Sequence, residues 1–414
     1  MFDFNKDIIN ASEKAIKQTA GAFRDIDEIT ECNQKKVLAA FIRGRVSERH
    51  FLGTTGYGYG DGGRDTLDKV FAECMGAQDA LVRHSFASGT HTLTAALFGL
   101  LRPGDTLLSV TGKPYDTICP VMGINGKPGM GSLKDFGINY RQIKLLPCGE
   151  PDIDGIGRFL EQNDVKLVYI QRSKGYTLRK SLSTDNIEKI SLAVKARSNA
   201  IVMVDNCYGE FVETAEPTER GADLIAGSLI KNPGGGLARS GGYIAGKADL
   251  VELCSYSMTA PGIGREVGAT HGLNRELFQG LFNAPHITGE ALKTAVFTAA
   301  LYKNLGFGVT PEPDEKRACI IQAVKLENEQ NLIKFCEGIQ AGSPVDSFVA
   351  PVPWDMPGYE SKVIMAAGAF TGGSSIELSA DAPLREPYAA WLQGGLNFHS
   401  AKAAVMLAAE RVLK

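Results

Sequence analysis

Between residues 80 and 246 short apolar runs alternate with segments of helical periodicity, and this alternation restricts the fold more than any other property of the chain. The runs are Ala80 to Arg83, Thr106 to Val110, Gln142 to Leu146, Lys166 to Ile170, Ala200 to Asp205, Leu224 to Ala226 and Gly242 to Ala245. Several are apolar at successive positions, which suits strands covered on both faces, as in parallel sheets. Helical segments intervene near 90–101, 154–162, 184–197 and 213–220. Strand and helix in turn predict an α/β fold built on a mostly parallel seven-stranded sheet with helices on both faces.

The flanks differ. Residues 1–50 carry apolar positions such as Ile8, Ile9, Ala15 and Ile16 at helical spacing. The glycine-rich segment Gly53 to Asp65 predicts a loop, because glycine loses much entropy in a helix, and Asp65 is the expected cap of a helix from Thr66 to Met75. Beyond Gly289 the texture becomes α+β. A helix is predicted over Glu290 to Leu305 and another within Lys316 to Gly338, then strands at Ser347 to Ala350 and Lys362 to Met365, and a closing helix from Ala401 to Leu413. At 414 residues the chain exceeds the size at which one core keeps growing. The expected division is an N-terminal segment at 1–60, a large domain at 61–288 and a smaller C-terminal domain at 289–414.

A formal net charge of −3 offers no attraction for nucleic acid or an acidic membrane surface. No apolar stretch approaches the roughly 20 residues that span a bilayer. The eight cysteines are scattered with no Cys-x-x-Cys pair, as in reduced thiols, and no basic stretch followed by an apolar run opens the chain. A cytoplasmic protein is expected. The six histidines show no His-x-x-x-His spacing, so no metal site is expected.

The chemistry concentrates at two positions. Asp205 ends a buried strand, and Lys231 follows in a stretch of small residues, Ser228-Leu-Ile-Lys231-Asn-Pro-Gly-Gly-Gly. A carboxylate that keeps a pyridine nitrogen protonated and a lysine that forms a Schiff base suit pyridoxal phosphate (PLP). Ser88, Gly89 and Thr90 lie between a strand and an alanine- and leucine-rich helix, where free N–H groups and hydroxyls make a phosphate site. His91, next in line, is read as a ring-stacking residue or a structural donor. Two rival motifs fail on context. Gly58 to Gly63 satisfies G-x-G-x-x-G, but a polar, charged segment enters it where a dinucleotide site needs a buried strand. Ser228-x-x-Lys231 matches the S-x-x-K of serine acylases, whose S-D-N and K-T-G partners are absent from the chain.

Val204-Asp205-Asn206-x-Tyr208, Gly221-Ala-Asp223, Ser228-x-x-Lys231 and Gly241 to Gly246 together resemble the cofactor core of the cystathionine and methionine γ-lyase group, which are fold-type I PLP enzymes. Tyr59-Gly-Asp-x-Gly-Arg64-Asp65, Leu384-Arg385-Glu-Pro-Tyr388 and Gln393-Gly-Gly395 extend the likeness to the methionine γ-lyase-like proteins labelled aluminium resistance proteins, over nearly the whole chain. The resemblance implies that Lys231 is the Schiff-base lysine and Asp205 the partner of the pyridine nitrogen. It puts Ser88, Gly89, Thr90 and Ser228 on the phosphate and Tyr115 against the cofactor ring. Tyr59 would reach the phosphate of a neighbouring subunit, making the protein a homo-oligomer, either a dimer or a tetramer of two dimers. The implied activity is cleavage of a carbon–sulfur bond in a sulfur-containing amino acid, through external aldimine and carbanion intermediates, giving a 2-keto acid and ammonia. An aminotransferase, an aldolase or a noncatalytic PLP-binding stress-response protein would share the same core. The chain departs from the group in carrying Asp61 where an arginine is usual, Ile230 where a threonine is, and Glu377 near the place of the arginine that binds the substrate carboxylate. That last role is therefore expected of Arg385 or Arg172.

Overall fold

The apolar runs become seven strands in the computed structural model, which describes residues 3–414. They are β1 (Asp79–Arg83), β2 (Thr106–Ser109), β3 (Asn139–Gln142), β4 (Leu167–Gln171), β5 (Ile201–Asp205), β6 (Leu224–Ser228) and β7 (Gly242–Gly246), in the spatial order β1-β7-β6-β5-β4-β2-β3. The strands from β3 to β6 in that order pair in parallel, while β7 runs antiparallel to both β6 and β1. Successive side chains point to opposite faces, so each strand feeds two cores. Leu81, Leu107 and Tyr169 face one side, while Val82, Val168 and Val202 face the other.

The described residues form ten α-helices: α1 (Lys6–Arg43), α2 (Gly62–Cys74), α3 (Gly89–Leu100), α4 (Cys119–Met122), α5 (Ile153–Gln162), α6 (Thr184–Lys195), α7 (Ala248–Met258), α8 (Asn274–Asn304), α9 (Glu329–Ala341) and α10 (Phe398–Leu413). Leu93 and Leu97 of α3 and Val251 of α7 cover one face of the sheet. Phe71 of α2, Ile156 of α5 and Ile187 of α6 cover the other. This is the layered α/β arrangement, with helices on both faces of the sheet, expected of the large domain.

The second domain holds an antiparallel sheet of β8 (Gly308–Thr310), β9 (Gln322–Lys325), β10 (Val363–Ala366), β11 (Ser379–Pro383) and β12 (Ala389–Gln393), in the order β10-β11-β12-β9-β8. Phe335 of α9 and Val405 of α10 pack in its core. Two long helices belong to both domains. Ile8 and Ala15 of α1 share the smaller core with Phe297 and Leu301 of α8, whereas Val37 and Ala40 share the larger one with Phe278 and Leu281. The boundary expected at 288/289 thus falls inside an unbroken helix, and α1 is packed along α8 rather than standing apart.

Several local expectations are corrected. The helix expected at 213–220 is only a 3-10 turn, Pro217–Arg220. β3 lies three residues earlier than the apolar run at 142–146, whose Ile143 and Leu145 pack from outside onto the large core. The region 316–338 contains β9 before α9 begins. Ser347 to Ala350 is no strand, and Phe348 is 88% exposed. The helix after the glycine-rich segment starts at Gly62 with Asp61 as its cap, not at Thr66 after Asp65. Gly63 fits there because a Cβ would collide with the His50 carbonyl and the Asn274 side chain. No helix among the described residues is long and apolar enough to cross a membrane.

Candidate active site

The carboxyl ends of β5 and β6 and the start of α3 border a cavity of about 410 Å3 between the two domains. Carboxyl ends of parallel strands are where open α/β sheets hold ligands. Asp205 closes β5 and is 5% exposed. Its Oδ2 accepts a hydrogen bond from the Tyr169 hydroxyl at 3.2 Å and its Oδ1 one from the Cys207 N–H at 3.2 Å. Burial pushes the carboxyl above its usual range, against the pull of these donors. A buried carboxylate so held has room for one more cationic donor.

Lys231 follows β6, and burial lowers the pKa of its ammonium. Its Nζ donates to the Tyr208 hydroxyl at 2.6 Å and to the Ser374 carbonyl, and lies 4.5 Å from the centre of the Tyr208 ring. Tyr208 has φ 71° and Phe211 φ 60°, a conformation that costs a residue with a Cβ. Arg172 holds that loop in place. Its buried guanidinium donates to Asn206 Oδ1 at 2.7 Å, the Gly209 carbonyl at 2.9 Å and Glu213 Oε2 at 2.6 Å.

Ser88 caps α3, its Oγ accepting from the His91 N–H at 3.1 Å, and Thr90 Oγ1 pairs with Thr117 Oγ1 at 2.7 Å. His91 itself points elsewhere: its Nδ1 accepts from the Ala87 N–H at 3.1 Å and its ring lies edge-on to Phe86. Opposite the helix start, Ser228 Oγ is buried with no hydrogen-bond partner. Gly89 packs so closely that a Cβ there would lie 3.2 Å from Ser228 Cβ. An unpartnered buried hydroxyl facing the N-terminus of a 12-residue helix is the chemistry of an anion cradle.

Tyr115 enters from the loop after β2. Its N–H donates to Gln171 Oε1 at 2.6 Å, and its hydroxyl pairs with that of Tyr359 at 2.9 Å. Seven of the predicted residues, Ser88, Gly89, Thr90, Tyr115, Asp205, Ser228 and Lys231, therefore line one cavity. Three do not. Tyr59 is 68% exposed on the glycine-rich loop, and Arg172 is enclosed in the loop it pins. Arg385 is exposed and borders a neighbouring cavity, reached across Tyr115 and Tyr176.

The cavity also contains residues to which no role was assigned from the sequence: Tyr208, Ser374, Asp381, Tyr176, Tyr359 and Trp391. Tyr208 was within reach of sequence reasoning, standing three residues after Asp205 in the same motif. Asp381 gave no signal, since it sits in the short stretch Ser379-Ala-Asp-Ala-Pro383.

The chain matches the methionine gamma-lyase family model over residues 8–413. It belongs to that family. With membership comes PLP as cofactor, and Lys231, Asp205, Ser228 and the start of α3 fit it. A solved carbon–sulfur lyase involved in aluminum resistance from Clostridium novyi NT is 52% identical, with a TM-score of 0.95 over 99% of this chain and 96% of that one. A structure from Clostridium acetobutylicum, provisionally assigned as a cystathionine beta-lyase involved in aluminum resistance, is 49% identical at TM-score 0.96, covering 99% and 96% of the two chains. The uncharacterized protein YnbB of Bacillus subtilis (strain 168) is 50% identical over 396 residues, 95% of this chain and 94% of that protein.

Proposed function

We propose that this family member is a PLP-dependent carbon–sulfur lyase that releases a 2-keto acid and ammonia from a sulfur-containing amino acid. The supporting observation is the convergence on one cavity of a buried carboxylate, an amine of lowered pKa and an unpartnered buried hydroxyl at a helix start. Bound there, PLP supplies an electron sink for the pair left when a proton leaves the substrate α-carbon. Asp205 holds the proton on the ring nitrogen. Ser88, Gly89, Thr90 and Ser228 bind the phosphate. Lys231 would hold the cofactor and would take the proton from the substrate α-carbon; burial lowers the pKa of its ammonium, the direction a base requires. The Tyr208 hydroxyl, 2.6 Å from Nζ, orients that amine. Tyr115, on the cavity wall, would pack against the cofactor ring, and its phenol, kept protonated by burial, would supply a proton to the departing thiolate.

In the same reading the protein is a cytoplasmic homo-oligomer in which Tyr59 completes the phosphate site of a neighbour. The cofactor assignment is tested by borohydride reduction followed by peptide mapping. The label is expected on Lys231, and a label on another lysine would refute the assignment. The activity is tested by assaying keto acid, ammonia and thiol release from S-alkyl cysteines and methionine. Keto acid without thiol would point away from a lyase.

A further inference from the structure

We infer that the substrate carries a positive charge on its side chain, recognised by Asp381 within an aromatic enclosure; this rests on the lyase reading of the same site. Asp381 is 5% exposed, lines the cavity and makes no ion pair among the described residues. Ser374 Oγ donates to its Oδ1 at 2.6 Å, and the same serine's carbonyl accepts from Lys231. Asp381 and Trp391 are directly paired across β11 and β12, so their side chains share one face of the sheet. Tyr176 stands 5.3 Å from the Trp391 ring and 5.8 Å from that of Tyr359, both on the cavity wall.

The cations available to Asp381 are few. Lys231 is the nearest, but it reaches Asp381 only through Ser374, and in the proposed reaction it is committed first to the cofactor and then to the substrate α-proton. Arg239, the other basic residue of the lining, is largely exposed and bonded to Glu276. A buried carboxylate without a cation is costly, whereas a carboxylate on a cavity wall shared with tyrosine and tryptophan rings suits an organic cation. Ammonium and sulfonium groups share this chemistry. A sulfonium would in addition leave as a neutral thioether, the electron pair of the broken carbon–sulfur bond passing to sulfur with no proton required.

Binding can be separated from turnover. Titrating the holoenzyme with L-lysine and with L-norleucine, neither of which has a carbon–sulfur bond to break, reads the charge preference from the change in cofactor absorbance. Lysine is expected to bind about tenfold or more tightly. Asp381→Asn, nearly isosteric, should erase the difference, and Tyr359→Leu should reduce it while leaving the carboxylate in place. Equal affinities, or a preference that survives in Asp381→Asn, would overturn the inference. Turnover of S-(2-aminoethyl)-L-cysteine against S-propyl-L-cysteine, and of S-methyl-L-methionine against methionine, shows whether ammonium or sulfonium is preferred. Cleavage of the neutral and cationic members at equal rates would sink the inference and leave the lyase reading standing. Preferential lysine binding with no cleavage of any of the four would do the reverse.

Discussion

Glu210 shows how far burial at this site alters an ordinary residue. The Tyr243 hydroxyl donates to its Oε1 at 2.7 Å, Oε2 has no partner, and burial pushes the carboxyl up from 4.5 to about 8. Between those values the folded protein holds a proton that the unfolded chain has released. Stability must therefore fall as pH rises through that window, and the penalty is absent below about 4.5. Glu210→Gln keeps the shape and removes the titration. Its gain in stability over the parent should be larger at pH 8 than at pH 5, by roughly 1 to 3 kcal/mol, read from urea denaturation midpoints. An equal effect at both pH values would mean that the folded protein holds no such proton. Asp205, Lys231 and Asp381 on the cavity wall share this condition, since burial shifts each toward its neutral form.

Asp61 illustrates what an element requires of one side chain. It caps α2 through the Arg64 N–H at 2.9 Å and also accepts from Thr54 Oγ1 at 2.5 Å, Thr270 Oγ1 at 2.6 Å and Asn274 Nδ2 at 3.2 Å. One carboxylate thus joins the glycine-rich loop, α2 and the start of α8. Asp61→Ala should cost roughly 2 to 3 kcal/mol, the cap plus hydroxyls left unpaired, and should loosen the loop that carries Tyr59. Thermal denaturation of the apoprotein measures the first effect, and protease sensitivity near Tyr59 the second; a loss below 0.5 kcal/mol would contradict it. The elements legible in the sequence were those whose burial matches their composition. Ile201 to Asp205 reads as a strand because both faces are apolar. β11 did not, because a central, fully buried strand made of serine, alanine, aspartate and proline defies strand preference. It is also the strand that carries Asp381 into the cavity, and local rules commonly fail where a site is built. β3 was displaced because it is an edge strand with three exposed residues, so its backbone pairing leaves little mark on hydrophobicity. Asp205, Lys231 and the Ser88 to Thr90 stretch stood out by their sequence surroundings, and Ser228 and Tyr115 by the family resemblance, whereas the cavity's aromatic wall comes from segments distant in sequence.

At the scale of the whole molecule, Tyr57 and Tyr59 are 74% and 68% exposed, with stacked rings 5.6 Å apart on a loop anchored by Asp61. The proposed exchange between subunits predicts a dimer or larger by sedimentation, and Tyr59→Phe should weaken PLP retention several-fold without altering the assembly. A monomer that retains PLP would rule the exchange out. The paired helices α1 and α8 have a mechanical consequence. Two rods rooted in both cores brace the junction like a splice, and bending it would strip apolar surface from both ends at once. A swing of the small domain as a lid would therefore work against both cores. The cavity wall from Thr371 to Ser374 is held to that frame too, through Glu377, whose carboxylate accepts from the Phe370 and Thr371 N–H groups, and through the contacts of Ser374 with Lys231 and Asp381.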